Sequence, residues 1–203
     1  MIGTAQHWEK IHATKGDEVS WYQPTSTESA RLIRACGLVP GASVLDVGAG
    51  ASVLVDELLE AGYRPTLLEI AEAAFVRVKD RLGARAAEVR FILGDITETE
   101  LPEAAYDLWH DRAVFHFLTE PGQREAYVRA LKRALKPGGF VVLAGFALDG
   151  PTTCSGLPVC RYDAQGLAEQ LGEGFELVES SRELHATPSG ATQSFQYTRF
   201  RRL

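Results

Sequence analysis

Cysteine is scarce in this chain. Of 203 residues only Cys36, Cys154 and Cys160 are cysteines. Their odd number and lack of Cys-x-x-Cys spacing indicate neither a disulfide framework nor a structural zinc site, and no metal is expected. No apolar run approaches the length of a membrane span. The opening segment, Met1 to Lys10, has no positive region followed by an apolar stretch, so a reducing, cytoplasmic location is expected. Positive charge is not in excess: 21 Lys and Arg against 27 Asp and Glu give a net charge of -6. That balance disfavours a broad phosphate-binding face and therefore general nucleic-acid binding. The short basic cluster Arg199-Phe200-Arg201-Arg202 reads as a solvated chain end. Internal repeats, low-complexity tracts and linker-like Pro/Ser runs are also missing. One domain over residues 1–203 is expected, with 1–39 as a helical segment ahead of the core.

What is present is an alternation of short apolar runs and amphipathic stretches. Ser43 to Val47, Pro65 to Glu69, Val89 to Leu93, Tyr106 to His110 and Gly139 to Phe146 read as strands. Continuous apolar runs of this length suit strands of a parallel sheet buried on both faces. Between them, Ala51 to Ala61, Ala71 to Leu82 and Arg124 to Leu135 read as helices. In the last, Tyr127, Val128, Leu131 and Leu135 share a face, Pro121 and Gly122 mark the start, and Lys136-Pro137-Gly138-Gly139 stops it. Two further helical pieces, around Gln6 to Ala13 and Thr25 to Cys36, precede the first strand. Near the end, Asp163 to Leu171 reads as a helix. Phe175 to Leu184 and Gln193 to Arg202 then read as strands joined by a Pro188-Ser189-Gly190 turn. The expected fold is α/β: a Rossmann-like, seven-stranded, mostly parallel sheet with helices on both faces and an antiparallel C-terminal strand.

The most informative segment is Leu45-Asp46-Val47-Gly48-Ala49-Gly50-Ala51-Ser52. An apolar strand enters a Gly-x-Gly turn that lets the backbone bend tightly and approach a ligand. Glu69 ends the second strand, where a carboxylate can accept hydrogen bonds from a ribose diol. Leu93-Gly94-Asp95-Ile96 ends the third strand with an acidic group able to read an adenine amino group. These ends, with His110 to Arg112 at the end of the fourth strand, belong on the carboxyl edge of a parallel sheet, where ligands bind. A nicotinamide dinucleotide site requires a third glycine in Gly-x-Gly-x-x-Gly, and Val53 occupies that position.

From about Pro40 onward the chain resembles the class I S-adenosylmethionine-dependent methyltransferases. The resemblance implies that Asp46, Gly48 and Gly50 hold the methionine end of the cofactor and that Glu69 binds the ribose. It places Ile70 beside adenine, Asp95 and Ile96 in the adenine-binding turn, and His110 with Asp111 toward the methionine moiety and the acceptor. Trp21 and Tyr22, beside Gln23-Pro24, suggest a lid over the cofactor.

The acceptor side has looser signals, because the cofactor already carries the activated methyl group. Candidates are His116 as a general base, Arg112 to orient an anionic group, and Arg161 with Tyr162 to bind a polar acceptor. His116 equally suits packing between Phe115 and Phe117, and Cys154 and Cys160 suit buried thiols as well as a thiophilic metalloid. Trp109-His110-Asp111-Arg112, Pro121, Arg124, Tyr127 and the Leu135 to Gly139 segment are similar to the thiopurine and thiol/halide methyltransferases. That similarity implies a small-molecule acceptor such as a thiol or a chalcogen species. An opening Trp-Tyr segment is also similar to small lysine methyltransferases, which implies a protein acceptor, and a non-catalytic cofactor-binding module is the third reading. The expected partner is a small-molecule methyl acceptor, with no nucleic acid and no membrane, and the protein is expected to be a monomer or homodimer.

Overall fold

The computed structural model describes residues 3–203. Met1 and Ile2, the start of the segment read for a leader, lie outside the described residues. The chain begins with α1 (Ala5–Lys15) and α2 (Thr27–Arg34), then β1 (Ser43–Val47), α3 (Leu54–Glu60), β2 (Arg64–Glu69), α4 (Glu72–Leu82), β3 (Arg90–Leu93) and β4 (Tyr106–Arg112). It continues with α5 (Pro121–Ala134), β5 (Leu135–Phe146), a small hairpin of β6 (Thr153–Cys154) and β7 (Leu157–Pro158), and α6 (Ala164–Leu171). It ends with β8 (Phe175–Ala186) and β9 (Thr192–Arg202). The seven long strands form one sheet in the order β3-β2-β1-β4-β5-β9-β8. Neighbours from β3 to β5 pair in parallel, and β9 runs antiparallel to both β5 and β8. The expected architecture is the one observed.

Residue periodicity sets what each face carries. β1 aligns Val44 with Leu108 and Asp46 with His110, so these four share one face, while Leu45, Val47, Trp109 and Asp111 share the other. On the first face the core joins Trp8 and Ile11 of α1, Leu32 and Ile33 of α2 and Leu58 of α3 to Val44, Leu108, Val142 and Phe195. On the second, Tyr127 and Leu131 of α5 and Leu167 and Leu171 of α6 pack on Leu45, Trp109, Val141 and Phe200. Burying a large aliphatic or aromatic side chain contributes about 1.5–3 kcal/mol relative to exposure, so these two layers hold the sheet edge in place.

Local signals explain three of the six helix starts. Thr4 caps α1 by accepting the His7 N–H, Asp163 caps α6 by accepting the Gly166 N–H, and Glu120 with Gln123 forms a reciprocal capping box ahead of Pro121 in α5. α3 begins at Leu54 rather than at Ala51, because the glycine turn continues through Val53; the Ser52 hydroxyl accepts the Leu54 N–H at 3.1 Å. Two expectations change. β3 is an outer strand with partly exposed residues, not one buried on both faces, because among the described residues no strand pairs beyond it. The fifth strand, expected from Gly139, already begins at Leu135, so the helix-stopping Lys136-Pro137-Gly138 belongs to an extended β5 whose pairing with β4 is interrupted between Tyr106 and Leu108.

Candidate cofactor and acceptor site

A cavity opens at the carboxyl edge of β1, β2, β3 and β4 and is covered by the N-terminal segment. Its floor is the β1–α3 turn, where Gly48 and Gly50 have φ of +61° and +54°. A β-carbon on Gly48 would lie 2.0 Å from Val114 Cγ2, and one on Gly50 would lie 3.3 Å from His12 Cε1. At Gly48 the left-handed conformation and the clash with Val114 together exclude a side chain, whereas at Gly50 the conformation is strained and the contact with His12 merely tight.

Glu69 sits beside this turn, nearly buried. Its carboxylate accepts N–H bonds from Gly50 at 2.8 Å, Ile70 at 2.8 Å and Ala71 at 3.0 Å. Burial pushes its carboxyl above the ordinary range, and the three N–H donors pull the other way. Asp46 Oδ1 is 2.6 Å from His110 Nδ1, and His110 Nε2 is 2.9 Å from the Ser29 hydroxyl, so α2 orients the imidazole from above. Asp95 Oδ1 accepts the N–H and hydroxyl of Thr97 at 2.8 and 2.7 Å, closing the turn after β3. Ile70 and Ile96 complete the apolar lining beside them.

The cover is built from rings. Trp8 packs edge-on against Trp21 and Phe117, with centroids 5.8 and 5.0 Å apart. Glu9 accepts the Ala73 N–H at 3.2 Å and ties α1 to the start of α4. Tyr22, Gln23, Arg112 and Cys154 line the end of the cavity away from Glu69 and Asp95. Arg112 donates from Nε to the Tyr197 hydroxyl at 2.8 Å and from Nη1 to the Trp21 carbonyl at 3.0 Å. Its guanidinium carbon lies 4.5 Å from the centre of the Phe195 ring. Burial pushes the Cys154 thiol up, which keeps it neutral at pH 7.

Trp21, Tyr22, Asp46, Gly48, Gly50, Glu69, Ile70, Asp95, Ile96, His110 and Arg112 are thus brought together in one cavity. Four other candidates are not among its lining residues. Asp111 follows His110 and therefore points through the opposite face, where it accepts the Tyr127 hydroxyl and the N–H groups of Val114 and Phe115. His116 is fully buried, with its ring 4.5 Å from Phe117 and 4.8 Å from Phe146 and its Nδ1 accepting the Phe146 N–H at 3.3 Å. Burial and Arg112 push its pKa down to about 3, so the general-base role does not suit it. Arg161 donates to the carbonyls of Leu148 and Gly150 at 2.7 and 3.2 Å, which braces a loop. Tyr162 packs beside Phe115 in the core on the α5 side.

Sequence reasoning marked the stretches from Trp8 to Gln23-Pro24 and from His110 to Leu118 as acceptor-side segments but gave no role to His12 or Phe117 within them and did not reach Ser29, although Trp8, His12, Gln23, Ser29 and Phe117 all line the cavity. Alternation along β4 carries one usable signal, since His110 and Arg112 are two apart and must share a face. Ser29 has no such signal, because only the docking of α2 brings it to His110.

Residues 44–139, just under half of the chain, match the family described as Methyltransferase domain. The chain is 26% identical to the eEF1A lysine and N-terminal methyltransferase of Bos taurus, over 98% of this chain and 29% of that protein. It is 25% identical to the malonyl-[acyl-carrier protein] O-methyltransferase of Serratia marcescens, over 77% of this chain and 52% of that protein. The chain spans less than a third of the length of the eEF1A lysine and N-terminal methyltransferases it matches. In structure it is similar to the 1,6-didemethyltoxoflavin-N1-methyltransferase of Burkholderia thailandensis, solved with bound 1,6-didemethyltoxoflavin and S-adenosylhomocysteine. That likeness has a TM-score of 0.74 at 24% identity, over 97% of this chain and 84% of the other.

The fold is that of the class I S-adenosylmethionine-dependent methyltransferases. The matched Methyltransferase domain lies at the centre of this fold, and S-adenosylhomocysteine, the demethylated form of that class's cofactor, is bound in the structural neighbour.

Proposed function

We propose that this protein transfers a methyl group from S-adenosylmethionine to a small-molecule nucleophile. The observation that carries the reading is the convergence of Asp46, Gly48, Gly50, Glu69, Asp95 and His110 on one cavity that also contains Arg112, Trp21 and Tyr22. In this reading Glu69 receives the ribose hydroxyls, Asp95 and Ile96 hold the adenine, and the Gly48–Gly50 turn with Asp46 receives the methionine end. The bound cofactor supplies a sulfonium whose methyl carbon is open to in-line attack. Held by these residues, the cofactor would present its methyl to the acceptor at the Arg112 end, and would leave as S-adenosylhomocysteine once the acceptor had taken the methyl. Trp8, Trp21 and Phe117 exclude water from the reacting atoms and restrict the acceptor's approach.

His116, the base chosen from sequence, lies outside the lining, and the reading therefore takes an acceptor that needs no proton removed at attack, such as a thiolate or a chalcogen species. This is the thiopurine and thiol/halide reading drawn from the sequence. The aromatic cover over the cavity supports a small acceptor rather than a groove for extended chain. A lysine acceptor is the second reading, favoured by the eEF1A lysine methyltransferases among the relatives.

The test is calorimetric titration with S-adenosylmethionine and S-adenosylhomocysteine, followed by an acceptor screen containing small thiols, selenite and purified eEF1A. Micromolar binding and turnover of a small thiol or selenite are expected. Turnover of eEF1A alone would install the protein-acceptor reading, and cofactor binding without any turnover would install the non-catalytic one.

A further inference from the structure

Resting on the reading above, we propose that the acceptor carries an oxygen anion, a carboxylate or a comparable oxyanion, and that Arg112 is its docking group. Three observations carry this. First, Arg112 lines the cavity while its Nη2 is buried and has no hydrogen-bond partner. A buried guanidinium nitrogen left unpaired is costly, and an oxygen anion accepting from the Nη2 N–H groups is the partner that satisfies it.

Second, the rest of the guanidinium is fixed in advance. Nε and Nη1 are spent on Tyr197 and the Trp21 carbonyl, and Phe195 lies under the guanidinium plane. The Tyr197 hydroxyl in turn donates to Glu183 at 2.8 Å. Glu183 also accepts from Gln23 Nε2 at 3.1 Å, so one carboxylate outside the cavity holds both Arg112 and Gln23 in register. Side chains held this way lose little freedom when a ligand arrives.

Third, the lining carboxylates are already engaged. The carboxylates among the lining residues are Asp46, Glu69 and Asp95. Glu69 and Asp95 lie at the ends of β2 and β3, away from β4, and are engaged by backbone N–H groups and by Thr97, while Asp46, beside β4, is engaged by His110. The cavity's other arginine, Arg77, belongs to α4, which follows β2. An ammonium acceptor would meet the Arg112 charge with every lining carboxylate already engaged, whereas an anion would be attracted to it.

The experiment uses the full chain loaded with S-adenosylhomocysteine and three probes: 2-mercaptobenzoate, 2-mercaptobenzamide and 2-aminoethanethiol. Calorimetry and thermal shift read binding. The carboxylate is expected to bind at least ten-fold more tightly than the amide or the amine. The preference is expected to fall below two-fold in Arg112→Gln and to be partly kept in Arg112→Lys. Equal or better binding of the amide or amine, preference that survives Arg112→Gln, or no binding of 2-mercaptobenzoate to the loaded protein would each overturn the proposal. The wild-type comparison stands even if Arg112→Gln folds poorly. Failure to bind S-adenosylhomocysteine would instead overturn the cofactor reading, which separates the two failures.

Discussion

Glu69 and Gly50 are joined by a 2.8 Å hydrogen bond from the glycine N–H to the buried carboxylate, so the end of β2 and the turn after β1 are one unit before any ligand is present. The same carboxylate spans Ile70 and Ala71. It fixes the glycine turn and presents oxygens to the cavity at once. A hydrogen bond to a charged group is worth about 1.5–3 kcal/mol. Glu69→Ala is therefore expected to weaken S-adenosylhomocysteine binding by roughly 10- to 150-fold, while His116→Ala leaves it within about three-fold. Calorimetry on both variants decides. Equal affinities for wild type and Glu69→Ala would remove the ribose assignment.

Gly48 is under a double constraint. It combines a φ of +61° with Val114 directly over its α-carbon. Gly48→Ala brings a left-handed penalty of about 1–2 kcal/mol and overpacking of about 1–3 kcal/mol. Denaturant unfolding is expected to show the sum. Adding Val114→Ala relieves the overpacking but not the backbone cost, so a double-mutant cycle should show favourable coupling above about 1 kcal/mol. Additive losses would mean that the turn moves instead of clashing.

His116 makes stability depend on pH. In the unfolded chain its imidazole takes a proton as pH falls through its ordinary value, whereas in the folded core it does not until about 3. The unfolded state then binds more protons, so the stability contributed is complete above about pH 6.5 and is lost as pH falls. Asp111 acts in the opposite sense, because burial pushes its carboxyl up to about 6. Subtracting the curve of His116→Gln isolates the histidine. The wild type is expected to lose up to about 1.4 kcal/mol per pH unit relative to that variant below pH 6.5. A pH-independent difference would show that the buried imidazole is already protonated or solvated.

Much of this was readable locally. The Gly-x-Gly turn after an apolar strand, the acidic residues at successive strand ends and the capped helices are short-range patterns. Each reports a backbone requirement set by its own neighbours. The third-strand burial failed as an expectation because position in the sheet, not the residues of Arg90–Leu93, decides whether a strand is an edge. His116, Arg161 and Tyr162 were chosen for their chemistry and their closeness in sequence to the carboxyl edge. The path of the chain after β4 and β5 turns them into the core or onto loop carbonyls.

By itself, then, the sequence determined the alternating elements, the parallel sheet with its reversed last strand and the cofactor-facing strand ends, because these follow from periodicity, glycine conformations and charge at fixed spacing. Only the tertiary structure decided that α1 and α2 bring Trp8, His12 and Ser29 over the cavity, and that Phe195 and Tyr197 of β9 hold Arg112 in it. Those contacts join residues far apart in the chain. Which of them meet depends on the packing of whole faces, and no local pattern encodes it.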